Sequence, residues 1–422
     1  MVQAARPVAG ASPKSPAVPS APQLAQSVQP AAVAQPPVAP IPREKTSRLV
    51  ARALGLSPQA LEEAFRPATP ADLPGVLALR HRVLGEALSW DDARYVRWRY
   101  LPEAGGRGLA TCWVCVRGEE VLGMIGTEAL QVSAGEARRE VHAAMDLMVR
   151  PDLADSGLGV WINQTVCARL GCVLAIGSNP NSRSVLARTF ETLPDRRSYT
   201  HPLHFAHFMA KRLSPRPLAW LASRAADLLM VGLRGWRLWT PGAGLSMAQL
   251  THMDDAVAAD IEALLRSAQR PDRVEVARDV ATLAHRLLAN PRTRCEVWLV
   301  RHGARPVGMV ATRRVPIEEG RHAVQVLDAV LDATRGPAAQ RAVLRTLLAG
   351  VCARAYRGGA DYLSWTLYDP ALEAELQPLM FRLQPHPFET LSWVCPDADF
   401  RAAVLSRPGW SLSEIHTDRD SA

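Results

Sequence analysis

Lysine is almost missing from this sequence. It occurs only at Lys14, Lys45 and Lys211, so the formal charge of +8 rests on arginine. The arginines are scattered through the chain instead of gathered in a run, which argues against a nucleic-acid partner. Long apolar runs are missing too: none reaches the roughly 18 residues that a membrane span requires. The first residues lack a basic region followed by an apolar stretch, so no secretory leader is expected and a cytoplasmic location is. The seven cysteines form no regular framework and read as small buried residues in a reducing compartment. Cys112-Trp-Val-Cys115 has CxxC spacing, yet positions i and i+3 of a strand face opposite sides. His201, His204 and His207 recur every third residue, which suits neither one strand face nor a zinc-binding helix. No metal is expected.

What is present is enough for a sizeable core. The 422 residues, 48% of them hydrophobic, allow two ordinary domains and a tail at about 150 residues per domain. Residues 1–45, rich in Ala, Pro, Val, Gln and Ser, read as a disordered arm that cannot offset its ordering entropy. A first domain is expected over 46–211 and a second over 244–400. Between them, 212–243 is an amphipathic helical linker carrying tryptophans. It either packs between the domains, the reading preferred here, or rests on a membrane surface. Residues 401–422 read as a polar, solvated tail.

The second half repeats the first. Trp113, Gly118, Gly123-Met124-Ile125-Gly126-Thr127 return at constant spacing as Trp298, Gly303, Gly308-Met309-Val310-Ala311-Thr312. Such self-similarity marks a duplicated unit. Each unit reads as a hairpin, a further strand (Arg139–Val149, then Ala323–Leu331) and a helix (from Gly157, then from Ala338). In the first unit the stretch Asp155-Ser156-Gly157-Leu158-Gly159-Val160 joins strand to helix. Glycines there let a ligand reach the main chain, and the unpaired N–H groups and positive dipole end of a helix suit a pyrophosphate. In the second unit the matching stretch, Asp332 to Pro337, has no G-x-G and has lost that device.

Val149, Pro151, Gly157 and Gly159 resemble the V-x-P…R/Q-x-x-G-x-G/A signature of the GNAT (GCN5-related N-acetyltransferase) superfamily, and the layout resembles tandem GNAT proteins. The sequence departs at Ala154, where the signature has Arg or Gln, and at Asp155, where it has Gly. The resemblance implies two tandem α/β (α+β) domains, each a mixed, mostly antiparallel sheet flanked by helices. It implies acetyl-coenzyme A, or another acyl-coenzyme A, as co-substrate, with its pantetheine lying in a V-shaped gap between two strands. The cofactor residues so implied are Leu147, Met148 and Val149, the six from Asp155 to Val160, and Asn181. A backbone N–H at Met148 or Val149 would polarise the thioester. The superfamily's acid, a tyrosine about seven residues past that asparagine, is here Arg188. For the base, Asp146 in the strand and His142 near its start are the candidates. The expected activity is N-acyl transfer to a small-molecule amine or amino sugar. The alternative is a non-catalytic scaffold built on a decayed pair, possibly peripheral to membranes. Nothing in the sequence fixes the oligomeric state.

Overall fold

The structure, a computed structural model, describes residues 42–85, 93–101, 109–177, 186, 190–238, 244–318, 320–385 and 389–417. The arm up to residue 41, together with Asn181 and Arg188, lies outside them.

The first half opens with α1 (Arg43–Leu54) and α2 (Pro58–Ala64), the latter capped by Ser57, whose hydroxyl accepts from the Ala60 N–H at 3.1 Å. Strand β1 (Phe65–Pro67) leads to α3 (Leu73–Leu84) and α4 (Ala93–Arg99). Then come β2 (Thr111–Arg117), β3 (Glu120–Ala134) and β4 (Ala137–Val149), a meander of alternating side chains that puts apolar residues on both faces. Helix α5 (Leu158–Leu170), β5 (Val173–Ile176) and β6 (Glu191–Pro202) complete this half. One sheet face carries Leu79, Tyr95, Val114 and Met124. The other buries Leu61, Leu122, Trp161 and Ile162 beneath α1 and α5. Cys112 packs on the first face and Cys115 on the second.

Two helices, α6 (Ala206–Arg212) and α7 (Arg216–Leu238), precede the second half. It contains β7 (Leu245–Leu250), α8 (Asp255–Ser267), β8 (Val274–Val276), α9 (Val280–Leu288), β9 (Cys295–His302), β10 (Arg305–Glu318) and β11 (Arg321–Leu331). Helix α10 (Pro337–Arg357), β12 (Tyr362–Leu367), α11 (Pro370–Leu376), β13 (Arg382–Leu383), β14 (Glu389–Val394) and α12 (Ala398–Leu405) follow. The sequence repeat is a repeat of register. Trp113 pairs with Ile125 and Cys115 with Gly123; Trp298 pairs with Val310 and Val300 with Gly308.

The halves are interlocked through their last strands. Along the continuous path of strands the order is β1-β2-β3-β4-β5-β14-β6-β12-β11-β10-β9-β7. Strand β6 pairs with β14 over Glu191–Arg196 and with β12 over Arg197–Pro202, so it leaves the first sheet for the second midway. Strand β14 makes the reverse crossing and fills the place between β5 and β6. Segments expected to belong to the second half thus complete the first sheet.

Two expectations from the sequence fail. The stretch from Gly409 to Thr417 is buried, not solvated: its carbonyls and side chains are taken up by arginines from both halves. Helix α7 does not bury its apolar side between the halves. Ser223, Asp227 and Arg234 face inward, while Leu221, Leu228 and Trp236 are exposed.

Candidate functional site

Strand β4 pairs with β3 along its whole length and with β5 only from His142 to Ala144. From Met145 to Val149 its β5-facing edge is therefore open. A bulge opposite Ile125 marks the point of divergence, where Gly126 pairs with Met145 and Met124 with Met148. At the bulge Asp146 has φ of 50°, a left-handed conformation that Asp tolerates better than most residues. Alternate strand residues address alternate neighbours. The Arg150 N–H donates to the Leu122 carbonyl in β3 at 2.9 Å. By that alternation Met148 also turns its N–H to β3, and Leu147 and Val149 direct theirs at the open side.

The open edge ends at the start of α5. Pro151–Ser156 forms about two turns of tight helix, Gly157 follows with φ of 81°, and α5 begins at Leu158. Only glycine takes that φ without strain. The Ser156 hydroxyl accepts from the Leu158 N–H at 3.2 Å, and the first-turn groups of Gly159 and Val160 point outward, as in any helix whose start is uncapped. Asp155 is exposed and Ser156, Gly157, Gly159 and Val160 are half-buried, so the turn is reachable from solvent. Leu158 is buried against α1.

The second half shows how the same place looks when closed. Its β11–β12 pairing also stops early, at Val326 and Trp365. There, however, the fully buried Asp332 carboxylate accepts from the Thr334 N–H at 3.0 Å, the Thr334 hydroxyl at 2.6 Å and Arg305 at 2.8 Å. A resident anion occupies the turn, and Pro337 at the first helical position contributes no N–H.

A cleft of about 730 Å³ lies between the first sheet and the second-half elements β8–α9. Tyr100, Thr127, Glu128, His142, His285, Arg286 and His416 line it. The His142 Nε2 is 3.2 Å from a Glu140 carboxylate oxygen. Burial pushes the His142 pKa below 6.5, with Glu140 opposing the shift, so the imidazole is neutral at pH 7. Glu128 and Arg286 form a buried ion pair across the cleft floor. Next to it, His416 is held neutral by burial and by the nearby Arg278, Arg286 and Arg196.

Asp146 turns toward α3 and α4. The Tyr100 hydroxyl donates to its Oδ2 at 2.5 Å and Arg80 donates to the same oxygen at 3.2 Å. Burial, first, and the neighbouring Asp146 charge keep the Tyr100 phenol protonated well above pH 10. The same position in the second half, three residues before the end of β11, is Asp328, held by Arg278 at 2.8 and 3.0 Å. The half without an anion cradle also keeps an Asp–Arg pair beside its β-bulge, made here by an arginine between β8 and α9. The clamp therefore goes with the bulge.

The structure places Leu147, Met148 and Val149 on one continuous strand that runs into the Asp155–Val160 turn. His142 lies on the same strand but faces the cleft. The sequence reading missed Tyr100 as the partner of Asp146, and it missed Glu128, Arg286 and His416 altogether; only the aromatic and basic run ending at Tyr100 gave a signal. Among the described residues no group of three His, Cys, Asp or Glu is placed to hold a metal. His201 packs on Phe381 and His204 stacks on Tyr356.

No protein-family model matches the sequence, and no curated protein matches it. Solved structures do resemble the fold. Saccharomyces cerevisiae N-myristoyltransferase with bound myristoyl-CoA and inhibitors aligns at a TM-score of 0.52 and 11% identity, covering 83% of this chain and 86% of that one. A GCN5-related N-acetyltransferase from Anabaena variabilis aligns at 0.51 and 10%, covering 78% and 72%. Another from Kribbella flavida aligns at 0.50 and 16%, covering 79% and 71%. At such identities the likeness is one of fold, and the fold is the GNAT fold expected from the sequence.

Proposed function

We propose that the chain is an acyl-coenzyme A-dependent N-acyltransferase that works through its first half. The observation that carries this is the open edge of β4 from Met145 to Val149, which is joined by the tight helix Pro151–Ser156 to a glycine-initiated, solvent-reachable helix start. An extended pantetheine arm fits such an edge as a missing strand would, and the pyrophosphate fits the Gly157–Val160 N–H groups. The Leu147 or Val149 N–H would then polarise the thioester carbonyl. A structural neighbour bears myristoyl-CoA, so the acyl chain is left open between short and long.

The acceptor amine enters through the cleft. Glu140 holds the Nε2–H of His142, which leaves Nδ1 to take a proton from the entering ammonium. The neutral nitrogen attacks the carbonyl carbon, the C–N bond forms, and the C–S bond breaks. The thiolate leaves with the proton that His142 releases, and the nitrogen gives its second proton to water as the amide forms. Asp146 is assigned a positioning role: it fixes the bulge, and hence the direction of the two N–H groups, through Arg80 and Tyr100.

Calorimetry of the full chain with acetyl-coenzyme A and with myristoyl-coenzyme A tests the assignment. Binding of either at micromolar concentration is expected. Absence of heat with both at millimolar ligand would leave the scaffold reading in its place.

A further inference from the structure

We propose that α7 docks the protein on the surface of an anionic lipid bilayer. An ordinary surface helix hides its apolar stripe and shows its polar side; α7 does the reverse. Ser223 and Asp227 are buried, Asp227 accepting from the Phe205 N–H at 2.8 Å and lying 3.3 Å from His204. Arg234 is buried too, its guanidinium 5.0 Å from the Tyr356 ring. On the opposite side Leu218, Leu221, Leu228, Leu229 and Trp236 are 52–72% exposed, at spacings that keep them on one arc through the helix. From Leu218 to Trp236 this stripe runs about 27 Å.

Such a face needs a cover, and the charges choose among covers. The exposed ionisable residues of α7 are Arg216, Arg224 and Arg237, and its one acid, Asp227, is turned inward. Arg224 and Arg237 flank the stripe on its two sides, so a second copy seated on it would set these cations against one another. The arm of residues 1–41 supplies no counter-charge either: it contains Arg6 and Lys14 and neither Asp nor Glu. A bilayer with anionic headgroups meets both demands. It receives the leucines and tryptophan at the acyl boundary and pairs the arginines with phosphates. Arg224 and Arg237 already lie over Trp220 and Trp236, at 5.7 and 4.8 Å, as cationic and aromatic groups do at an interface. No helix among the described residues is long and apolar enough to cross a membrane, so contact of this kind is peripheral.

The test is sedimentation of the full chain with vesicles of phosphatidylcholine alone and of phosphatidylcholine mixed with phosphatidylglycerol. Binding to the mixed vesicles should be at least roughly tenfold tighter and should weaken with salt. The double variant Leu221→Glu, Leu228→Glu should lose it while its melting temperature stays that of the wild type, because both side chains are exposed. Failure of the wild type to sediment with either vesicle, or undiminished sedimentation of the double variant, overturns the proposal. A dimeric wild type that becomes monomeric in the double variant, with no lipid binding in either, assigns the face to self-association. None of these readouts depends on catalysis, so the result stands apart from the acyltransfer assignment.

Discussion

At the scale of single residues, the two halves provide an internal control. Asp146 and Asp328 occupy equivalent positions, each against a buried arginine, but only Asp146 adjoins the proposed thioester site. Replacing either by Asn takes the carboxylate from a guanidinium, at a cost of about 3 kcal/mol for Arg80, while Arg278 keeps its bonds to the Ser411 and Val276 carbonyls. If Asp146 is a clamp, D146N and D328N both lower the urea midpoint, and the purified D146N enzyme keeps most of its kcat once folded. A base in that position would show instead as a selective loss of kcat in D146N. The imidazoles make a second point. Burial lowers the pKa of His201 from 6.5 to about 4, so between those values the unfolded chain binds a proton that the native one refuses. Stability therefore falls as pH drops through that window, by about 3 kcal/mol from His201 alone. His142, His322 and His416 are shifted in the same direction and add to the slope. His201→Leu should flatten the dependence of the urea midpoint on pH between about 6.5 and 4; an unchanged slope would show that the titration lies elsewhere.

At the scale of elements, what the sequence made legible was local. The glycine turn and the hairpins are each specified within a few residues, and the register of the repeat follows from two identically spaced sets of glycine and tryptophan. The direction in which a helix turns its stripe is not local. The pattern of α7 announces an apolar side, but only the inward Asp227, bound to the Phe205 N–H, decides that this side faces out. The loss of the G-x-G in the second copy is legible, but what fills its place, the Asp332 carboxylate bound by Thr334 and Arg305, is not. The glycine turn permits a test in which stability and binding part company. A Cβ at Gly159 would meet Val149 Cγ2 at 3.4 Å, a distance the side chain can absorb. Gly159→Glu gives the helix a better former and a carboxylate at its positive end, worth up to about 1 kcal/mol. The same carboxylate competes with a pyrophosphate. The variant should melt at or above the wild-type temperature and lose at least roughly tenfold in acyl-coenzyme A affinity. Unchanged affinity would remove the pyrophosphate from this turn.

At the scale of the whole molecule, the arginine bias of the sequence acquires a structural use. Four arginines clasp the segment after α12. Arg278 donates to the Ser411 carbonyl at 2.7 Å, Arg286 to that of Ile415, Arg99 to that of Thr417 at 3.5 Å, and Arg196 to the Glu414 carboxylate at 2.6 Å. The polar lettering of this stretch suggested a solvated tail because its partners lie up to 318 residues away. Pairings so distant leave no trace in local pattern, and the same holds for the exchange of β6 and β14. The Arg196–Glu414 pair, with both side chains fully buried, is the sharpest place to measure what this closure contributes. Glu414→Leu strands a buried guanidinium and should destabilise by about 3–5 kcal/mol. Arg196→Met in the same chain removes the stranded charge, and the double variant should recover most of the loss, since a buried ion pair is worth little over apolar groups of its size. Recovery would mean that the C-terminal segment is held chiefly by packing between the halves. A double variant no more stable than Glu414→Leu would mean that the charges themselves lock β6 to the chain's end.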